Sequence, residues 1–188
     1  MLNAVRSMDG ASFTDLPACP YCGGAVKGHD LKKKRFARIL DAGRERNVYV
    51  FVKRFYCTKC GRLSPANAPF YPDIRLGSPI VDLCVVNIDR FPYHHLSRIL
   101  RGLHLVVDRG TIRNYAHRSF GAIPALEIYG LKIPLSLLSI SDLILSRTEL
   151  GAVVGAELLG SPRRLPPADR ALLRRRRATE ERDEREEK

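Results

Sequence analysis

The chain has 188 residues and a mass of 21.1 kDa, room for one ordinary domain or two small ones and too little for a large catalytic architecture. Apolar residues make up 45% and charged residues 28%, which excludes wholesale disorder and leaves a modest core. Thirty-two Lys and Arg against twenty Asp and Glu give a formal charge of +12, so polyanions, nucleic acid first among them, lead the partner classes.

The charge is uneven. Residues 1–120 carry 20 basic and 9 acidic side chains, residues 121–160 carry 2 and 4, and residues 161–188 carry 10 and 7. The basic field therefore belongs to the N-terminal two-thirds. No apolar run reaches the ~18–20 residues of a membrane span; the most apolar stretch, Ile133 to Leu145, contains Ser136, Ser139, Ser141 and Asp142. The start MLNAVRSMDGASFTD lacks the basic and apolar regions of a secretory signal. A cytoplasmic, nucleoid-associated protein with a disordered segment at 1–16 is the expectation.

Four of the five cysteines form two equally spaced pairs. Cys19-Pro20-Tyr21-Cys22 is followed by Gly23-Gly24, and Cys57-Thr58-Lys59-Cys60 by Gly61. A C-x-x-C turn sets two sulfurs on one side of a tight loop, and the glycine after it lets backbone amides face the thiolates. Two opposed turns make a closed tetrahedral set, which suits one structural Zn²⁺ held by Cys19, Cys22, Cys57 and Cys60, with Zn–S near ~2.3 Å and no position left for water. Two disulfides would suit a secreted scaffold, and a redox pair would need one C-x-x-C at the end of a βαβ strand. Thiolates alone do not separate zinc from iron.

Between the pairs, Val48 to Tyr56 is rich in β-branched and aromatic residues and reads as a strand entering the second turn. A shorter strand near Ala25–Val26 leaves the first. Residues 17–63 are thus a β-ribbon clipped by metal. The run His29 to Arg38 lies between, with Lys32, Lys33, Lys34 and Arg35 as a candidate phosphate-gripping arm or a solvated loop. Ser64 to Pro72 is punctuated by prolines, and residues 64–77 read as a linker.

Ser78-Pro79 is a helix start, and Ile80, Leu83, Cys84, Asn87 and Ile88 follow at helical spacing, with Cys84 expected as a buried thiol. A second helix begins near Pro92 with Tyr93, Leu96, Ile99, Leu100 and Leu103 as its stripe, and His94, His95, Arg98 and Arg101 outside. Asp108 caps a third helix reaching about Ser119. Ile112, Tyr115 and Ala116 face inward. Arg109, Thr111, Arg113, Asn114, His117 and Arg118 face outward, the residue types that a major-groove reader uses: Arg for guanine, Asn for adenine, Thr for phosphate or the thymine methyl.

A strand into Cys57-Thr58-Lys59-Cys60-Gly61, an Ala-Pro-containing linker, Phe91-Pro92-Tyr93 leading one helix and Gly110-Thr111-Ile112-Arg113-Asn114-Tyr115 in another together resemble a known family region. Over residues 17–120 the chain resembles the N-terminal zinc-binding and helix-turn-helix region of insertion-sequence transposases with a DDE catalytic domain. The resemblance implies binding to the terminal inverted repeats of an element. In that family an RNase H-like domain follows, with three carboxylates holding two Mg²⁺ ions. Only 68 residues follow Phe120, too few for that domain, and Glu127, Asp142, Glu149 and Glu157 are assigned no catalytic role. No catalysis by this chain is expected.

The expected fold is α+β: a small β zinc ribbon at 17–63, a helix-turn-helix domain at 78–121, a helical extension at 122–160 with a candidate homodimer face, and an Arg-rich then mixed-charge tail at 161–188. The expected function is sequence-specific binding of double-stranded DNA. The competing expectation is a zinc-ribbon module that binds RNA or a protein through Tyr49, Phe51, Phe55 and Tyr56.

Overall fold

The computed structural model describes residues 2–140, and the fold is mixed α+β. The elements in chain order are helix α1 (Leu2–Ser7), strands β1 (Ser12–Phe13), β2 (Val26–Asp41), β3 (Arg44–Cys57) and β4 (Leu63–Pro65), helices α2 (Ser78–Val85), α3 (Tyr93–Gly102) and α4 (Arg109–Ala116), and strands β5 (Ala125–Ile128) and β6 (Leu131–Pro134). Residues 135–140 are helical again. The expected tail, and the extension beyond residue 140, lie outside the described residues.

Two long strands dominate. β2 and β3 form one antiparallel hairpin closed at Ala42-Gly43, whose φ values of 48° and 78° match a tight turn with both central residues left-handed. Val48, Val50 and Val52 alternate into the core, the period of a half-buried strand. β3 is central: β2 flanks one side, and β1 (parallel) and β4 (antiparallel) share the other. The register shifts between Gly28 and Asp30 and between Arg35 and Ala37, leaving His29 and Phe36 as extra residues. The second shift lets Phe36 and Ala37 both enter the core.

The helices join this sheet through a shared core. Leu105 bridges Ile39, the Val106 amide donates to the Arg38 carbonyl (2.8 Å) and the Leu40 amide to the His104 carbonyl (2.9 Å), so the α3–α4 connection pairs with the free edge of β2. Leu96, Leu100, Leu105 and Ile112 meet Phe36, Ile39 and Val48 in one apolar cluster. The Gly77 amide donates to the Phe36 carbonyl (2.8 Å), and a Cβ on Gly77 would lie 2.3 Å from the Phe36 ring. Only glycine fits there.

Several expectations are corrected by this packing. Residues 2–16 are not disordered: α1, the turn after it and β1 bury Ala4, Val5, Met8 and Phe13 in the common core. The run from His29 to Arg38 is strand, part of β2, because its ladder to β3 satisfies the backbone that a loop would leave to water. Segment 64–77 is no spacer, since Ala66, Phe70, Ile74 and Leu76 belong to the common core. Residues 125–134 form a hairpin rather than helix, with Tyr129 and Gly130 at φ 49° and 75° in its turn. Asn87 pins that hairpin: its Nδ2 donates to the Leu83 (2.9 Å) and Lys132 (2.7 Å) carbonyls, and its Oδ1 accepts from the Lys132 amide (2.9 Å).

Candidate metal centre and nucleic-acid face

Both cysteine turns use one hydrogen-bond pattern. The glycine amide four residues on donates to the first cysteine carbonyl, Gly23 to Cys19 at 2.9 Å and Gly61 to Cys57 at 3.0 Å. The first cysteine amide donates to the carbonyl five residues on, Cys19 to Gly24 and Cys57 to Arg62, each at 2.9 Å. Gly23 and Gly61 sit at φ 69° and 68°, a conformation that a side chain would strain. The Thr58 amide and hydroxyl both donate to the Ala25 carbonyl at 3.2 Å, tying one turn to the other. Gly24 is the seam between them, where a Cβ would lie 2.8 Å from Lys59 Cβ and 3.3 Å from Cys22 Sγ.

The four Sγ atoms lie within 4.8 Å of one another, with Cys22 and Cys57 at 3.6 Å and Cys19 and Cys60 at 3.7 Å. Sulfurs ~2.3 Å from a shared tetrahedral ion stand about 3.8 Å apart, whereas a disulfide needs about 2.05 Å. The spacing fits ligation, and all four thiols are free. The Cys60 amide, 3.5 Å from Cys57 Sγ, leads the contacts that pull the Cys57 thiol down to about 6. At Cys60 the Arg62 amide also favours thiolate, but burial and the neighbouring sulfurs outweigh it and hold the thiol up at about 11. The first negative charge is welcome and the next is opposed. A bound cation removes that opposition, and these four cysteines can hold a metal ion.

Cys84 takes no part. It is fully buried on α2, and burial pushes its thiol up to about 12, the state of an inert core cysteine.

The residues expected to meet nucleic acid divide into two sets. Arg35 on β2 lines a groove of about 320 Å³ together with Thr111, Asn114 and Arg118 of the α4 region. Arg109, Arg113 and His117 are exposed on or beside α4 and do not line it. Lys32 is exposed, and Lys33 Nζ lies 4.3 Å from the Tyr49 ring centroid. Lys34 folds inward, 4.0 Å from the Phe70 ring centroid, and burial followed by the Lys32 charge lowers its pKa. The register accounts for this: Lys34 stands opposite Val50 on the core-facing side, Lys33 opposite Phe51 on the other.

Two groove residues escaped the sequence reading. Arg75 lies in the segment read as a linker, and Arg38 was counted only within the basic run. Nothing local marks either, because the groove exists only once residues 73–76 and α4 meet the edge of β2. The exposed His94 and His95 form no metal cluster among the described residues; His95 stacks on Phe91 with centroids 5.7 Å apart. No helix among the described residues is long and apolar enough to cross a membrane. Compared with known proteins, the chain matches no family model, no curated protein and no solved structure.

Proposed function

We propose that the chain is a zinc-stabilised, sequence-specific binder of double-stranded DNA without catalysis of its own, built like the DNA-binding region of DDE transposases and serving to recognise element ends or an operator. The observation that carries the reading is the meeting of β2 cations with the outward residues of α4 on one face: Arg35, Thr111, Asn114 and Arg118 share a groove, and Arg109 and Arg113 stand exposed beside it. Phosphate contacts would come from the strand, and base contacts from α4 as the recognition helix. Zinc is the ion that four thiolates in two equivalent turns suit best, and its part is to hold the ribbon closed.

Selection of bound sequences from a random duplex pool tests the proposal. Asn114→Ala or Arg113→Ala should cost about 1–3 kcal/mol on the selected site and relax its sequence, whereas Lys32→Ala with Lys33→Ala should weaken all duplexes alike and lower the salt slope. Variants that bind selected and random DNA like the parent would refute it.

One observation favours the second reading, an RNA or protein module. Tyr21 is 51% exposed beside the cysteine cluster, with the Arg62 guanidinium 4.8 Å from its ring centroid, and Tyr56 is 45% exposed. Tyr49, Phe51 and Phe55 are partly covered. A gel shift with structured RNA, duplex and single strands at matched salt separates the readings, since a stacking surface prefers unpaired bases.

A further inference from the structure

Six of the fourteen described arginines have acidic partners, Arg6 with Asp41 among them, and eight do not. Arg38 and Arg101 pair with Glu45, Arg46 with Asp9 and Asp41, Arg54 with Asp30, and Arg90 with Glu127. Arg35, Arg75 and Arg118 make no ion pair among the described residues, and all three line the same groove. Arg35 goes further: its Nε is sealed from solvent and has no hydrogen-bond partner. A guanidinium donor deprived of both water and acceptor is rare, because native proteins satisfy such groups. The unsatisfied Nε–H belongs to a residue that lines this groove.

We infer that the groove is an oxyanion site for a single phosphate group, with Arg35, Arg75 and Arg118 supplying charge and Thr111 and Asn114 supplying neutral donors. Guanidinium forks match the geometry of phosphate oxygens, and a hydroxyl and a side-chain amide beside them complete a donor set that a carboxylate-lined cleft would lack. Asp73 and Asp108 also line the groove and oppose an anion. Asp73 lies in the field of Lys34, and the three unpaired lining arginines outnumber the two aspartates. The inference rests on the duplex-DNA reading and deepens it: there the phosphate is a backbone phosphodiester beside α4. The same chemistry would hold the phosphate of a free phosphorylated molecule.

Both arms of the test use the full zinc-loaded chain. Inorganic phosphate is titrated and followed by ³¹P line broadening, and a random-sequence duplex is followed by fluorescence anisotropy over a salt series. Arg75→Gln combined with Arg118→Gln removes two exposed groove cations, and Arg44→Gln with Arg98→Gln removes the same charge outside it. The groove pair should weaken phosphate binding about tenfold or more and lower the duplex salt slope by about two, while the control pair leaves phosphate binding in place. Loss of phosphate binding in the groove pair with duplex binding absent or unaltered keeps the oxyanion site, assigns it to a free phosphorylated molecule and removes the DNA assignment. Phosphate binding that is undetectable in the parent, unchanged in the groove pair or equally reduced in the control pair overturns the site, whatever the duplex arm shows.

Discussion

The strands β2 and β3 run side by side from the cysteine turns to the tight turn at Ala42-Gly43, yet different forces hold different stretches of them. In the middle and toward the tight turn, Phe36, Ala37, Ile39, Val48 and Val50 are buried against the helices. Toward the cysteines, residues 27–33 of β2 are all exposed. There the ladder is supported by the Arg54–Asp30 ion pair, by Lys53 over Phe55, and by the two sulfur-bearing turns. This end of β2 has no buried side chain, although β4 pairs with β3 beside it and Phe55 packs on the core. With a metal ion on them, the four clustered sulfurs would supply at one end what apolar burial supplies at the other, giving one hairpin two anchors.

The sharpest way to break that comparison is to deny the four cysteines any metal. Chelation, or Cys57→Ser, should abolish hydrogen-exchange protection in residues 26–33 and 53–63 while the helices and the middle of the hairpin stay protected. Structural zinc peptides gain an apparent ~10–16 kcal/mol from their metal, more than a bare ribbon has to spare. Global unfolding on chelation would show that the anchors are not separate.

The reverse experiment acts on the core. Leu100→Ala deletes a fully buried side chain between α3 and the sheet and should cost about 2–5 kcal/mol in denaturant unfolding, with metal content of the folded protein unchanged. A smaller change is Gly77→Ala. Its Cβ would enter the Phe36 ring, and a loss of about 1–3 kcal/mol should follow from overpacking where the helices begin to dock. A neutral result would mean that Phe36 has room to move.

The smallest expected effect concerns Asp82 on α2. Burial raises its pKa, although the hydroxyls of Ser136 (2.6 Å) and Tyr71 donate to it and partly offset the shift. A carboxyl whose native pKa lies above its unfolded value of about 3.9 favours folding fully below that value, and the contribution fades as pH rises through the native pKa. Asp82→Asn should therefore flatten this part of the stability profile, gaining on the parent as pH rises from acid toward neutral. Thermal melts of the two proteins across that range check it, and parallel profiles would contradict it.

How much of this was legible beforehand differs between the two ends. The cysteine cluster was readable because C-x-x-C-G encodes its own geometry: the spacing and the left-handed glycine are local, and two copies of the motif in one chain signal the pairing of the turns. The three helices were readable from their starts near Ser78-Pro79, Pro92 and Asp108, and Ile112 and Tyr115 of α4 are buried as expected; but Gly77 rather than Ser78 holds the N-cap of α2, the Asp108 side chain makes no capping bond, and α4 ends at Ala116 rather than about Ser119. The length of β2 was not, since four consecutive cations look solvated until Lys33 is set over Tyr49 and Lys34 over Phe70. The hairpin at 125–134 was hidden by apolar residues that lack a clear period, and α1 by its shortness. The groove depends on contacts between distant segments, which no local pattern carries. Its unsatisfied donor, Arg35 Nε, is visible only in three dimensions.

Zinc K-edge X-ray absorption on protein purified without added metal addresses the central claim most directly. One zinc per chain surrounded by four sulfurs near 2.3 Å is the predicted result. A chain without stoichiometric metal, or a first coordination sphere containing nitrogen or oxygen, would contradict it.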